Sequence, residues 1–187
     1  WDMWEVQAPK EEGHTTFVYA HLEPINHPGM LGVSPQEIFS KNEWSSANKL
    51  RPKQVRSRRI ETIFKGGFVP AAGEKPTNYV VLNFMDVKKS AYEYEKMEID
   101  DFMPIHKENK YIKGWGLHKV VYPLAMPFEQ DKTDYITADF YDSLETLYNS
   151  IDQTNPLGDD QLKNSQAMDE IRDLKRAHIM TLVKSIR

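Results

Sequence analysis

Cysteine is absent from the chain, so disulfides, thiolate nucleophiles and cysteine-ligated metals are all excluded, and neither redox compartment is favoured. Long apolar runs are absent too. No window approaches the roughly 18 apolar residues that a membrane-spanning helix needs, and no charged-then-apolar leader opens the sequence. Neither sign of charge prevails: 24 basic residues face 28 acidic ones, a net charge of −4 over 187 residues, which gives no electrostatic reason to bind nucleic acid or anionic lipid. Missing as well are the P-loop, the GxGxxG turn, the nucleophile elbow, HExxH and the EF-hand loop, so nucleotide, dinucleotide, hydrolase and calcium readings lose their usual support. What is present, 40% hydrophobic and 28% charged residues, suffices for one sizeable domain or two small ones.

Within that composition one unit is written nearly twice. Val55-Arg-Ser-Arg-Arg-Ile60-Glu-Thr62-Ile-Phe64-Lys65 aligns with Leu174-Lys-Arg-Ala-His-Ile179-Met-Thr181-Leu-Val183-Lys184 at a constant offset of 119. Upstream, Phe17-Val-Tyr-Ala-His21 matches Asp134 to Asp139 in character. Each is followed by a helix start, Ser34-Pro-Gln-Glu37 in one case and Asp142-Ser-Leu-Glu145 in the other.

The second copy is the fuller one. Asn78 to Asp86, rich in β-branched and aromatic residues, is predicted as a central strand. Ser90-Ala-Tyr-Glu93 is a capping box, and Tyr94, Met97, Ile99, Phe102 and Ile105 recur at helical spacing toward Pro104. Gly114 to Tyr122 is a strand, Pro123 to Lys132 a loop, and Asp134 to Tyr141 a third strand leading into a helix near Ser143. After the turn at Asn155-Pro-Leu-Gly158, Ser165 to Ala177 reads as an amphipathic helix and Ile179 to Ile186 as a closing strand. The order β-α-β-β-α-β is that of the split βαβ, or ferredoxin-like, unit. The first copy supplies Met3 to Val6, Thr16 to Glu23, a helix from Ser34 to about Lys41 and a strand from Arg59 to Phe64, without a first strand and helix. By analogy with Asn78 to Gly114, roughly 35 to 40 residues are expected to precede Trp1. The stretch from Gly66 to Pro76 reads as a connection, which sets the repeats at 1–69 and 78–187 around a linker at 70–77.

Tyr94, Glu95, Met97 and Glu98, then Met103-Pro-Ile-His106, then Lys113-Gly-Trp-Gly-Leu117, resemble the dimeric α+β barrel superfamily, which includes antibiotic-biosynthesis monooxygenase-like and NIPSNAP-like proteins. The likeness extends to bacterial envelope proteins with tandem copies of the unit, and implies a periplasmic or exported location. It also implies an α+β fold in which two ferredoxin-like repeats pair their antiparallel sheets into an intrachain barrel. Closing two sheets on each other would remove the strand edges that invite aggregation. Members of the superfamily include haem enzymes, cofactor-free oxygenases and binding proteins, so the resemblance names no cofactor.

Alternation along Gly114 to Tyr122 puts Trp115, Leu117, Lys119 and Val121 on one face and Gly116, His118, Val120 and Tyr122 on the other. An inward His118 would be a candidate acid–base group in a cavity; its plainer reading is a hydrogen-bonded rim histidine. Glu98 and His106 form a second candidate pair, a carboxylate orienting an imidazole, although Pro104 between them leaves their relative direction open. Trp115, His118, Tyr19, His21 and Asn83 are the candidate lining of a ligand cavity between the repeats. His14, His21 and His27 match no regular zinc spacing, so no metal is expected. The basic run from Lys49 to Lys65 would suit an acidic partner and equally a solvated face. Trp1, Trp4, Phe17 and Tyr19 are core or interface anchors, and a protein partner or self-association is expected if they are left uncovered. The chain thus reads as a binding or assembly-associated protein holding a small apolar ligand. The alternative is an oxygenase- or isomerase-like enzyme with a cavity histidine.

Overall fold

The computed structural model describes residues 2–10, 15–20, 40–42, 45–46, 60–68, 77–122, 132–153 and 166–185. The chain divides into two compact units, one formed by residues 1–20 with 60–187 and the other by residues 21–59. Of the second, only residue 40 and the short helical pieces at 41–42 and 45–46 are described. The expected helix from Ser34 lies mostly outside the described residues, as does the basic run from Lys49 to Arg59.

The first unit is α+β. Its strands are β1 (Asp2–Ala8), β2 (Phe17–Ala20), β3 (Glu61–Phe68), β4 (Tyr79–Val87), β5 (Gly114–Tyr122), β6 (Tyr135–Tyr141) and β7 (Arg172–Ser185). They form one seven-stranded sheet in the order β2-β1-β7-β4-β6-β5-β3, antiparallel throughout. Strands on both sides of residues 70–77 therefore belong to the same sheet. Among the described residues no helix is long and apolar enough to cross a membrane.

The sheet is not closed into the expected barrel. Six antiparallel steps separate β2 from β3, so the two edge strands run in the same direction. Joining them directly would make a parallel pair in an otherwise antiparallel sheet, which requires a different hydrogen-bond pattern.

Between β4 and β5 the chain is helical from Ala91 to Glu108. Ser90 caps α1 (Ala91–Met97), its hydroxyl accepting the Glu93 N–H at 3.3 Å. A π-helical turn, Glu98–Phe102, then links α1 to α2 (Met103–Glu108), with the Met103 N–H reaching back to the Glu98 carbonyl. Pro104 has no N–H and its ring would strike the preceding turn of a regular helix. The wider π turn accommodates it, so Pro104 shifts the helix rather than ending it. One residue added to a turn rotates the remainder of the helix by about 100°. After β6, Ser143 accepts the Thr146 N–H at 3.1 Å and starts α3 (Leu144–Gln153).

The last expected helix is shorter than its pattern suggests. Residues 166–171 are helical, but the chain is already extended at Arg172, and β7 continues for 14 residues. Arg172 through Ala177 pair with Val87 through Asn83, so hydrogen bonding to β4 overrides their helical spacing. β3 likewise runs on to Phe68, which places Gly66 and Gly67 in a strand and not in a connection.

The two outer ladders have the same irregularities. Against β7, β1 passes over Val183 between the Met3 and Trp4 pairings, and over Gln7 between the Val6 and Ala8 pairings. Against β5, β3 passes over Lys65 between the Phe64 and Gly66 pairings, and over Val121 between the Glu61 and Thr62 pairings. In each ladder three pairings separate the two bulges, made by Trp4, Glu5 and Val6 in one and by Phe64, Ile63 and Thr62 in the other.

Alternation gives the sheet two apolar faces. Trp115, Leu117, Tyr135, Tyr141, Met85 and Val87 form the helix-side core with Tyr94, Leu147 and Met168. Trp4, Val6, Val80, Ala138 and Met180 form a second cluster on the opposite face, joined by Val18, Leu82, Phe140 and Leu182.

Gly67 is where the strand comes closest to its neighbour. Its φ is +153°, and a Cβ there would run into the Trp115 carbonyl oxygen. Gly67→Ala is therefore expected to destabilise the protein by about 1–3 kcal/mol in urea denaturation. Tyr148→Ala, on the exposed side of α3, should stay within about 0.5 kcal/mol of the parent.

Candidate functional site

The helix-side core contains one polar island, centred on Asp139. In β6 the inward positions are Tyr135, Thr137, Asp139 and Tyr141, so strand alternation alone delivers this carboxyl under the helices. Across the ladder Asn83 of β4 faces it. The Asn83 amide donates to Asp139 Oδ2 at 2.7 Å and to Thr137 Oγ1 at 3.2 Å. From α2, His106 places Nδ1 at 3.9 Å from Asp139 Oδ1, just beyond hydrogen-bonding reach. The imidazole lies flat on the Trp115 indole, with ring centroids 5.5 Å apart and planes 15° from parallel. The π turn matters here because it decides which side of the helix His106 presents to the sheet.

Glu98, the first residue of the π turn, is also buried in this layer. Tyr94 lies beside it, and the Tyr94 hydroxyl is buried without a well-formed hydrogen bond among the described residues. Arg172 at the start of β7 supplies the nearby positive charge.

Burial dominates the proton affinities. It pushes the Asp139 carboxyl up to about 7, helped by the Glu98 charge and opposed by the Asn83 hydrogen bond. It pushes His106 down to about 4. Glu98 is held above the usual carboxylate range by burial, against the pull of Tyr94 and Arg172. Near neutral pH the pair thus consists of an uncharged imidazole and a carboxyl poised between its two states, the arrangement of a proton donor–acceptor couple. Water reaches it through His106, whose side chain is 27% exposed against 9% for Asp139.

Four of the expected residues come together here: Glu98, His106, Trp115 and Asn83. Trp115 and Asn83, expected to line a cavity between the repeats, lie instead on the helix side. Asp139, Tyr94 and Arg172 join them without having stood out as site residues in the sequence. The signal for Asp139 is there: an acid occupies the inward phase of a strand whose other inward residues include Tyr135 and Tyr141.

His118 is elsewhere. It lies on the opposite face from Trp115, with the Phe64 ring 5.4 Å away and Thr62 Oγ1 at 3.4 Å from Nδ1. Burial lowers its proton affinity. Tyr19 pairs with Met3 in the β1–β2 ladder, and its side chain lies outside the described residues, as do His14, His21 and His27. Lys65, the end of the basic run, is tied to Glu95 at 3.0 Å. A cleft of about 240 Å³ is lined by Val87, Lys89, Ala91, Lys119, Val120, Lys132, Asp134 and Tyr135, and contains none of the expected site residues. Lys132 occupies it, bonded to Asp86 at 2.9 Å and Asp134 at 2.8 Å. Among the described residues no group of three His, Asp or Glu side chains is arranged to hold a metal ion.

The two central groups have opposite effects on stability. Folded Asp139 keeps its proton up to about pH 7 whereas an unfolded aspartate loses it near 3.8, so its contribution falls as pH rises across that window. Unfolded histidine takes up a proton below 6.5 but folded His106 only below about 4, so its contribution is lost as pH falls through that window. Each effect is on the order of 3 kcal/mol, and together they largely cancel. Asp139→Asn is expected to leave a protein whose stability climbs by about 2 kcal/mol between pH 5 and 6.5, and His106→Gln one whose stability drops by a similar amount. Urea titrations at the two pH values measure both; equal and unchanged slopes in the variants would contradict the assignment.

Compared with known proteins, the chain matches no protein-family model and no curated protein.

Proposed function

We propose that the protein is a binding or assembly-associated protein built from two split βαβ units that share one sheet. β4 to β7 with their helices form the complete unit, and β1, β2 and β3 correspond to β5, β6 and β7 in a unit without its first strand and helix. The observation that carries this reading is the matched pair of outer ladders, with two bulges each at the same spacing. Val183 and Lys65 are passed over at positions 118 apart, within one residue of the sequence offset of 119. Two unrelated ladders have no physical reason to share those interruptions, whereas two copies exchanging equivalent edges do.

The face opposite the helices described above, where Trp4, Val80, Phe84, Ala138 and Met180 are buried, is the place we assign to a small apolar ligand. An enzymatic reading has one observation in its favour, the proximity of Asp139 and His106 under the helices. That pair, and not His118, would then supply the acid–base step.

Native mass spectrometry of protein purified from its source is expected to show a retained small molecule or protein. A bare chain whose turnover of a substrate is lost in His106→Gln would favour the enzyme instead. Hydrogen exchange tests the architecture separately: the β1–β7 and β3–β5 ladders should be protected to within about tenfold of each other. A β3–β5 ladder exchanging as freely as a loop would contradict the shared sheet.

A further inference from the structure

We propose that the cleft of about 240 Å³ beside the start of α1 binds the phosphate group of a small phosphomonoester. Three segments distant in sequence each bring one lysine to its wall: Lys89 from the turn between β4 and α1, Lys119 from β5, and Lys132 from the approach to β6. Asp134 is the one acid among the lining residues, so positive charge is in excess by two, the complement of a phosphomonoester near neutral pH. Neither Asp139 nor His106 lines this cleft, which makes it a second site. At roughly 30 Å³ per water molecule its volume equals about eight waters, enough for a phosphate group on a short organic body.

The acids around the cleft are shared among several donors, and this leaves the lysines with capacity for an anion. Asp134 Oδ2 accepts the Val87 N–H at 2.9 Å and the Lys132 ammonium at 2.8 Å. Lys132 spends a second bond on Asp86 at 2.9 Å; an ammonium has three N–H donors, so one is uncommitted among the described residues. Asp134 and Asp86 together hold Lys132 in its charged form. Asp86 is also taken by Lys175 at 3.3 Å. Glu95 accepts the Tyr135 hydroxyl at 2.6 Å and Lys65 at 3.0 Å, while Lys119 stays 3.9 Å away, beyond hydrogen-bonding reach. Lys89 meets Glu170 at 3.3 Å, but the two side chains are 54% and 75% exposed, and a solvated pair of that kind yields readily to a better-placed anion.

The geometry of the donors selects the ligand class. Lysines act as point charges and impose no planar fork, so three of them arriving from different segments suit the three terminal oxygens of a phosphate better than the two coplanar oxygens of a carboxylate. Val87, Ala91 and Val120 supply an apolar stretch of the same wall. That stretch gives the organic group of an ester a surface to cover, which inorganic phosphate cannot use.

Phenyl phosphate is the probe, titrated into the intact chain at low salt and followed by backbone amide shifts. Binding is expected to saturate with a Kd of about 1 mM or below, with the largest shifts at the residues of the cleft. Lys89→Gln and Lys119→Gln should each weaken binding at least about threefold, Lys89→Arg should stay within about twofold of the parent, and Lys110→Gln, which removes an ammonium lying over the Tyr111 ring, should change nothing. Inorganic phosphate should bind at least about threefold more weakly than the phenyl ester. The same spectra check that every variant keeps its fold. Shifts that grow without saturating, an equal loss in Lys110→Gln, or benzoate binding as tightly as phenyl phosphate would each overturn the phosphate site, and inorganic phosphate binding as tightly as the ester would overturn the choice of an ester.

Discussion

The sheet depends on β7. Its 14 residues pair with β4 along one stretch and with β1 along an overlapping one, from Tyr79↔Thr181 and Glu5↔Thr181 outward. Among the described residues, no other strand pairing ties β1 and β2 to the rest of the sheet. Both cores meet on it as well: Ile179 packs with the helix-side cluster and Met180 with the Trp4 cluster on the opposite face. A strand that supports two ladders and two faces has little freedom of register, because a slip of one residue would exchange its faces in both cores at once. That constraint explains why the segment from Arg172 to Ala177 is extended in spite of a pattern that suits a helix.

The strands that were legible in the sequence were those with one dominant partner relation. β4, β5 and β6 follow their alternation and turn signals almost to the residue, and the capping serine at position 90 marks its helix. What was not legible depended on contacts distant in sequence. The helical spacing of Ser165 to Ala177 is local, while the bonds of Arg172 to β4 come from 85 residues upstream at Val87. The barrel required an even closure that a local pattern cannot count. Pro104 is visible in the sequence as a disturbance, but whether it breaks or widens a helix is settled by what the turn must pack against.

The candidate site shows the same division. Glu98, His106, Trp115 and Asn83 each stood out individually, yet their meeting point is Asp139, whose position is fixed only when β4, β5 and β6 are aligned and α2 is laid across them. A buried acid without a full ionic partner is expensive in a core that could have held another apolar residue. Asn83 offsets part of that cost with one hydrogen bond, and the imidazole at 3.9 Å offsets more only when it carries the proton. Burial favours the uncharged form of each group, so between about pH 4 and 7 neither Asp139 nor His106 carries a full charge under the helices.

The polar island and the outer strands lie in different parts of the same sheet, and their physics is opposite. Around Asp139 the layer between α2 and the sheet encloses polar groups within an apolar core and meets their demands with side chains. At β2 and β3, the outermost strands among the described residues, apolar side chains face outward, with Ile63, Phe64 and Phe17 nearly half exposed. Side-chain demands can be met by local substitution, but a row of unpaired backbone amides can be met only by another backbone or by water. The bulges of the β1–β7 and β3–β5 ladders are equally spaced, so each outer ladder has a defined register. The register of an outer strand is thus determined by the sheet around it as much as by its own sequence.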